Sequence, residues 1–167
     1  MFHSQTLGRH LYPVRVYYED TDAGGVVYHA TYLRYAERAR TEALRDLGVP
    51  HHALVTEHGL MFMVRRVKVD YLGPARVDDS LLVATLPLAV RAASVDLRQE
   101  VHLAGAEPEA GAKPEAGAKP GARPLVAMDI QLACVRLADG RPARLPRRWR
   151  EVLEAMLAHR DHAPAGA

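Results

Sequence analysis

A single cysteine, Cys134, stands in 167 residues. One thiol excludes an intramolecular disulfide and a cysteine metal cluster. No uninterrupted apolar run approaches the roughly 20 residues needed to cross a bilayer as a helix, so no membrane span is expected. The N-terminal stretch MFHSQTLGRHLYPVRV has neither a long apolar core nor a cleavage site. No signal peptide is expected there, and the default compartment is the cytoplasm. The chain also lacks a strong charge of one sign: its formal net charge is +2. No Lys/Arg run is interleaved with aromatics as a stacking surface would need, so nucleic acid is not an expected partner. What is present is 49% hydrophobic and 25% charged residues, the balance of one packed domain. The expectation is a single domain over residues 1–167.

Periodicity sets the order of elements. Residues 13–18 read as a short strand with Val14 and Val16 on one face. From about Tyr28 to Leu47 the pattern turns helical. Leu33, Ala36, Ala39, Ala43, Leu44 and Leu47 recur at three- and four-residue steps, and Gly48 and Pro50 stop the helix. The alanines narrow one helix face, which suits close packing on a sheet. Residues 51–59 read as a short helix or loop. The period then drops to two, with Val67, Val69 and Tyr71 alternating with Arg66, Lys68 and Asp70. Three further strands follow, over residues 81–90, 95–103 and 128–134, and LPRRWREVLEAMLAHR reads as a terminal amphipathic helix. Between the last two strands, residues 104–124 carry the hexamer EAGAKP twice in tandem. Nothing there fills a core, and its prolines prevent a continuous helix or sheet. It reads as an expanded hairpin loop. A long helix followed by a run of antiparallel strands implies an α+β fold with the helix on one face of a curved sheet. One helix cannot cover a five-stranded sheet, so residual apolar surface and exposed edges imply a homo-oligomer.

The stretch YYEDTDAGGVVYHATY, residues 17–32, concentrates Glu19, Asp20 and Asp22 beside Gly24 and Gly25. Two readings compete. In one, it is a strand-to-helix turn in which an Asp caps the helix start. In the other, the glycines admit a ligand close to the backbone, and unpaired amides at the helix start polarise a carbonyl. A neighbouring carboxylate would then attack the carbon or activate water, which suffices for ester or thioester hydrolysis. Glu19 and Asp20 suit turn and entrance charges better than catalysis.

This stretch, with its continuation YLRYAERARTEALRDLGV, resembles the opening segment of hotdog-fold acyl-CoA thioesterases of the 4-hydroxybenzoyl-CoA thioesterase type. It is most similar to their Tol–Pal-associated, YbgC-like branch. FMVRRVKVDYLGPARVDDSLLV and ARLPRRW extend the resemblance over most of the chain except residues 104–124 and both tips. The resemblance implies a curved antiparallel sheet wrapped around the long helix. It makes Asp22 the catalytic carboxylate, as nucleophile or general base. It places His29 at an amide that polarises the thioester carbonyl, Gly24 and Gly25 against the substrate, and Tyr28 beside the acyl pocket. It also implies acyl-CoA as substrate, a homodimer or homotetramer with sites at the subunit boundary, and no cofactor beyond the coenzyme A of the substrate. Arg65 and Arg66 are candidates for the coenzyme's phosphates, against an ordinary solvated strand face. Two alternatives are kept: a hotdog dehydratase acting on an acyl-carrier thioester, and a non-catalytic acyl-thioester-binding or scaffold protein. His51, His52 and His58 do not form a metal motif. Cys134, on the apolar phase of its strand, is expected to be a buried, inert thiol.

Overall fold

The computed structural model describes residues 5–6, 8–104 and 123–161. The tandem hexamers of the 104–124 loop therefore lie outside the described residues. Six strands form one antiparallel sheet: β1 (Gln5–Thr6), β2 (Arg9–Arg15), β3 (Leu60–Tyr71), β4 (Ser80–Val90), β5 (Ser94–Leu103) and β6 (Val126–Arg136). Their order across the sheet is β1-β2-β4-β5-β6-β3. Three helices accompany them: α1 (Thr31–Asp46), α2 (His51–His58) and α3 (Arg147–Asp161). The α+β architecture stands, with a sixth, two-residue strand added at the β2 edge.

The two-residue period of β5 and β6 sorts their side chains cleanly between the sheet faces. Val95, Leu97, Val101, Met128, Ile130 and Leu132 are buried on the face that carries α1. Asp96, Arg98, Glu100, Asp129 and Gln131 share the opposite face, tied by hydrogen bonds from Arg98 to Glu100 and Asp129 and from Gln131 to Asp96. Helix α1 packs Tyr32, Tyr35, Ala36, Ala39 and Ala43 into the core. The alanine stripe lets its backbone ride close to the sheet. Trp149 and Leu153 of α3 complete the cluster. Each fully buried Val, Leu or Ile contributes about 1.5–3 kcal/mol. Cys134 is fully buried, and burial pushes its thiol pKa up, as expected of an inert core thiol.

Two boundaries differ from the sequence reading. The first long strand is β2, ending at Arg15, and Tyr18–Asp20 form a 3-10 turn. Helix α1 begins at Thr31. Tyr28 and His29 precede it, because the Thr31 N–H closes a turn onto the Tyr28 carbonyl at 2.8 Å.

Strand β3 is an edge, and its register against β6 shifts between Val64 and Arg66, leaving Arg65 as the extra residue of a β-bulge. The bulge reverses which residues face inward. Before it, Phe62 and Val64 lie opposite the buried Cys134 and Leu132; after it, Val67, Val69 and Tyr71 lie opposite Ile130, Met128 and Val126. Were Arg65 paired in strict alternation and not bulged, Arg66 and Lys68 would face the core side. Among the described residues, no helix is long and apolar enough to cross a membrane.

Candidate active site

The loop that carries Asp22 is built almost entirely by its own atoms. Thr21 and Val27 form an antiparallel bridge, and the Asp22 N–H donates to the Val26 carbonyl at 2.9 Å. The Gly25 N–H returns to the Asp22 carbonyl at 3.0 Å. Gly25 has φ +72°, a left-handed conformation that closes such a turn with little strain only for glycine. Inside it, the Gly24 N–H donates to Asp22 Oδ1 at 2.8 Å, a side-chain turn that fixes the carboxylate's direction. A Cβ on residue 24 would stand 3.1 Å from that oxygen. The second glycine of the pair is therefore needed for backbone conformation and the first for space. Asp22 is exposed, and its Oδ2 has no hydrogen-bond partner among the described residues.

Asp20 does a different job. Its Oδ2 accepts the Tyr17 N–H at 2.9 Å, and its carbonyl accepts the Tyr28 N–H at 2.9 Å. It braces the two ends of the loop against each other. Its carboxylate also acts on the Tyr35 phenol, whose pKa is pushed far above 10 by burial first and by Asp20 second.

The start of α1 is left open. Its N-cap, Ala30, has no side chain that can accept a hydrogen bond, and no acidic residue stands in the first turn. The amides of His29, Ala30 and Tyr32 donate to no backbone carbonyl among the described residues. A helix beginning with unsatisfied N–H groups and no neutralising carboxylate is suited to a developing negative charge.

Asp22 and His29 line one shallow depression of about 440 Å³, together with Val26, Val27, Tyr32, Tyr71 and the Leu72-Gly73-Pro74 segment. Of the residues singled out from the sequence, the structure brings Asp22 and His29 together in it, with Gly24 and Gly25 shaping the loop. Tyr28 is 47% exposed and packs at a tilt against the His29 ring, centroids 4.3 Å apart, beside the depression. Arg65 and Arg66 are exposed in the middle of β3 and are not part of its lining. Among the described residues, no group of three or more His, Cys, Asp or Glu is placed to hold a metal ion.

The residues that sequence reasoning missed come from the end of β3. The Tyr71 hydroxyl donates to the His29 carbonyl at 2.9 Å, clamping the peptide just before α1. The Tyr32 hydroxyl accepts the Ala75 N–H at 3.1 Å, and the Val27 N–H donates to the Ala75 carbonyl at 2.9 Å. Burial raises the pKa of both the Tyr32 and Tyr71 phenols, so both stay neutral around pH 7. The one available signal was the apolar phase of Tyr71 on its strand. Its partner in the site, some forty residues away, had none.

Comparison with known proteins agrees with this geometry. Residues 24–109, just over half of the chain, match the family model described as Thioesterase superfamily. An acyl-CoA thioesterase YbgC of Haemophilus influenzae is 50% identical over 90 residues, 54% of this chain. That match spans 66% of the Haemophilus protein, just under two thirds of its length. The acyl-CoA thioesterase YbgC of Helicobacter pylori is 34% identical over 146 residues, covering 85% of this chain and 98% of the relative. Among solved structures, a probable thioesterase from Bartonella henselae superposes with a TM-score of 0.67 at 31% identity, over 83% of this chain and 99% of its own. With a matching model over half its length and a near-full-length relative above 30% identity, the chain belongs to the thioesterase superfamily and carries the hotdog fold.

Proposed function

We propose that the protein hydrolyses acyl-CoA thioesters to a free acid and coenzyme A. The observation that carries this reading is the pairing, at one mouth, of an exposed carboxylate held by its own loop with the uncapped amides that open α1. A thioester carbonyl set at those amides has its oxygen at N–H donors and its carbon within the domain of Asp22. In one course, Asp22 Oδ2 attacks the carbonyl carbon, the amides hold the oxyanion, and the C–S bond breaks to release the thiolate. Water then cleaves the resulting mixed anhydride and frees both carboxylates. In the other, Asp22 takes a proton from water as the hydroxide adds. The C–S bond breaks, and the proton passes on to the leaving thiolate. Either course consumes one water and leaves Asp22 as it began. The relatives' names as acyl-CoA thioesterases support the same reaction class.

His29 lines the mouth and would orient the substrate there, while Tyr28 flanks it. Arg65 and Arg66, exposed on the strand that ends in Tyr71, would meet the phosphates of the coenzyme. The assembly we propose is a homodimer, or a pair of dimers, joined along β3. That free edge exposes Met63, Val64, Val67, Tyr71 and Leu72, each at 39% or more. An apolar, unpaired edge of this length invites a second strand.

The test is a thiol-release assay over acyl-CoAs of graded chain length and over aryl-CoAs. Turnover of at least one member is expected. Binding of acyl-CoA without thiol release across the panel would identify a non-catalytic acyl-thioester-binding protein instead.

A further inference from the structure

A second cavity of about 320 Å³ lies away from Asp22, between the C-terminal half of α1, α2, α3 and the inner face of the sheet. It shares no lining residue with the depression at Asp22. Its wall is mostly apolar, with Leu44, Leu47, Phe62, Leu97, Leu132 and Leu153, and it also carries Glu37, Arg40 and His51. One cation stands out in that wall. Arg40 is partly buried, and its one hydrogen bond among the described residues runs from Nη1 to Gln99 Oε1 at 2.8 Å.

Gln99 cannot serve as a counter-charge, and its orientation is fixed. Its Nε2 donates both to the Ala36 carbonyl at 3.0 Å and to Thr85 Oγ1 at 2.8 Å, which leaves Oε1 to face the guanidinium. No carboxylate forms an ion pair with Arg40 among the described residues. Glu37, one turn earlier on α1, acts on it only at longer range, and its own carboxylate accepts the Thr41 hydroxyl. An arginine carries five N–H donors, so four remain for the cavity. His51, a further titratable group of the wall, has its pKa lowered by burial first, with Glu37 opposing and Arg40 adding to the shift, so it adds little positive charge near neutral pH. A buried cation without a counter-ion is costly. A guanidinium with unused donors in an apolar cavity matches one ligand chemistry above others, a carboxylate on an apolar tail.

We propose that this cavity is a binding site for a free medium-chain carboxylic acid, its carboxylate on Arg40 and its tail along Leu97, Leu132 and Leu153. The volume is at the lower end of small-molecule pockets, roughly 300–1,000 Å³. At the roughly 30 Å³ share of a water molecule, it accommodates about ten non-hydrogen atoms, which is the size of octanoate. The binding does not depend on hydrolysis at Asp22, so the proposal stands or falls separately from the thioesterase reading.

The experiment is a calorimetric titration of the full chain with octanoate and, separately, with octanol, which keeps the tail and removes the charge. Octanoate should bind at least about tenfold more tightly than octanol, the usual discrimination of a charge-assisted hydrogen bond. Methyl NMR on methionine-labelled protein should show the Met156 resonance shifting with octanoate, assigned by its disappearance in Met156→Leu. Arg40→Met, which keeps the stem and removes the donors, should lose the same tenfold, with thermal melts reporting on its fold. Equal titration by octanoate and octanol, or an unmoved Met156 resonance on octanoate saturation, overturns the proposal without any Arg40 variant. So does a folded Arg40→Met protein that binds octanoate like the wild type.

Discussion

At the start of α1 the chain exposes a carboxylate and leaves helix amides open. Nine residues into the helix, about 13 Å along its axis, it sets a partly buried guanidinium in a mostly apolar wall. The first region is shallow and open and is lined by two tyrosines; the second is less open and lined mostly by apolar side chains. The contrast follows from what each charge must do. A group that attacks a carbonyl or activates water needs a free lone pair and access to solvent, so Asp22 stays exposed with one oxygen committed to Gly24 and the other available. A group that holds a ligand gains from exclusion of water, because its electrostatic interactions strengthen as the local dielectric falls. One helix serves both because its first turn lacks a cap and its later turns are alanine-narrow.

The sharpest way to break this comparison is Asp22→Asn. The amide keeps the size of the side chain and can still accept the Gly24 N–H, so the loop should hold and the melting temperature should barely move. General-base chemistry alone is worth about 10²–10⁴-fold, so kcat should fall by at least about 100-fold, read by steady-state thiol release. Near-native turnover in a folded Asp22→Asn protein would reduce the exposed carboxylate to a turn residue and leave the two ends chemically alike.

A smaller effect is expected at Tyr71. Tyr71→Phe removes the hydrogen bond to the His29 carbonyl and nothing else of the ring. With about 1 kcal/mol of positioning lost, kcat should drop about fivefold, with KM largely unchanged if Tyr71 acts on the peptide and not on bound substrate. A KM rise at constant kcat would instead make the ring a wall of the binding site.

The smallest effect is on stability and belongs to the other end. Burial lowers the His51 pKa below 6.5 in the folded protein, so the unfolded chain takes up a proton first as pH falls. The sign is fixed by linkage: stability is fully present above about pH 6.5 and declines as pH drops toward the folded-state value. His51→Gln should flatten that part of the melting-temperature profile. An unchanged slope would show that the cavity end is not where acid is felt.

Much of the fold was legible because β5, β6, α1 and α3 each show a clear period, and the period follows burial. What was hidden has physical causes. The residues Leu60–Val64 carry apolar groups on both phases, so the first half of β3 gave no alternation to read. The start of α1 shifted three residues because the local turn onto the Tyr28 carbonyl competes with helix, and no side-chain cap marks the boundary. At the site, Asp22, Gly24, Gly25 and His29 were visible because the loop is a local structure written in adjacent residues. Tyr71 and the Leu72-Gly73-Pro74 segment were not, since they reach the site through long-range pairing of residues 75–76 with 26–27. Arg40 was not singled out, because a sequence period does not show which cation of a helix lines a cavity.

The bulge at Arg65 works like a reading frame in space. Upstream of it the even-numbered side chains of β3 face inward and supply Phe62 and Val64 to the leucine-lined cavity. Downstream the odd-numbered ones do, and supply Tyr71 to the carboxylate mouth. One strand can serve both because it contains one residue more than its partner. At this position being left out of the pairing matters more than the kind of residue. Many side chains would serve in place of Arg65, whereas pairing it into the ladder as an ordinary strand residue would turn Tyr71 outward and put Lys68 toward the core.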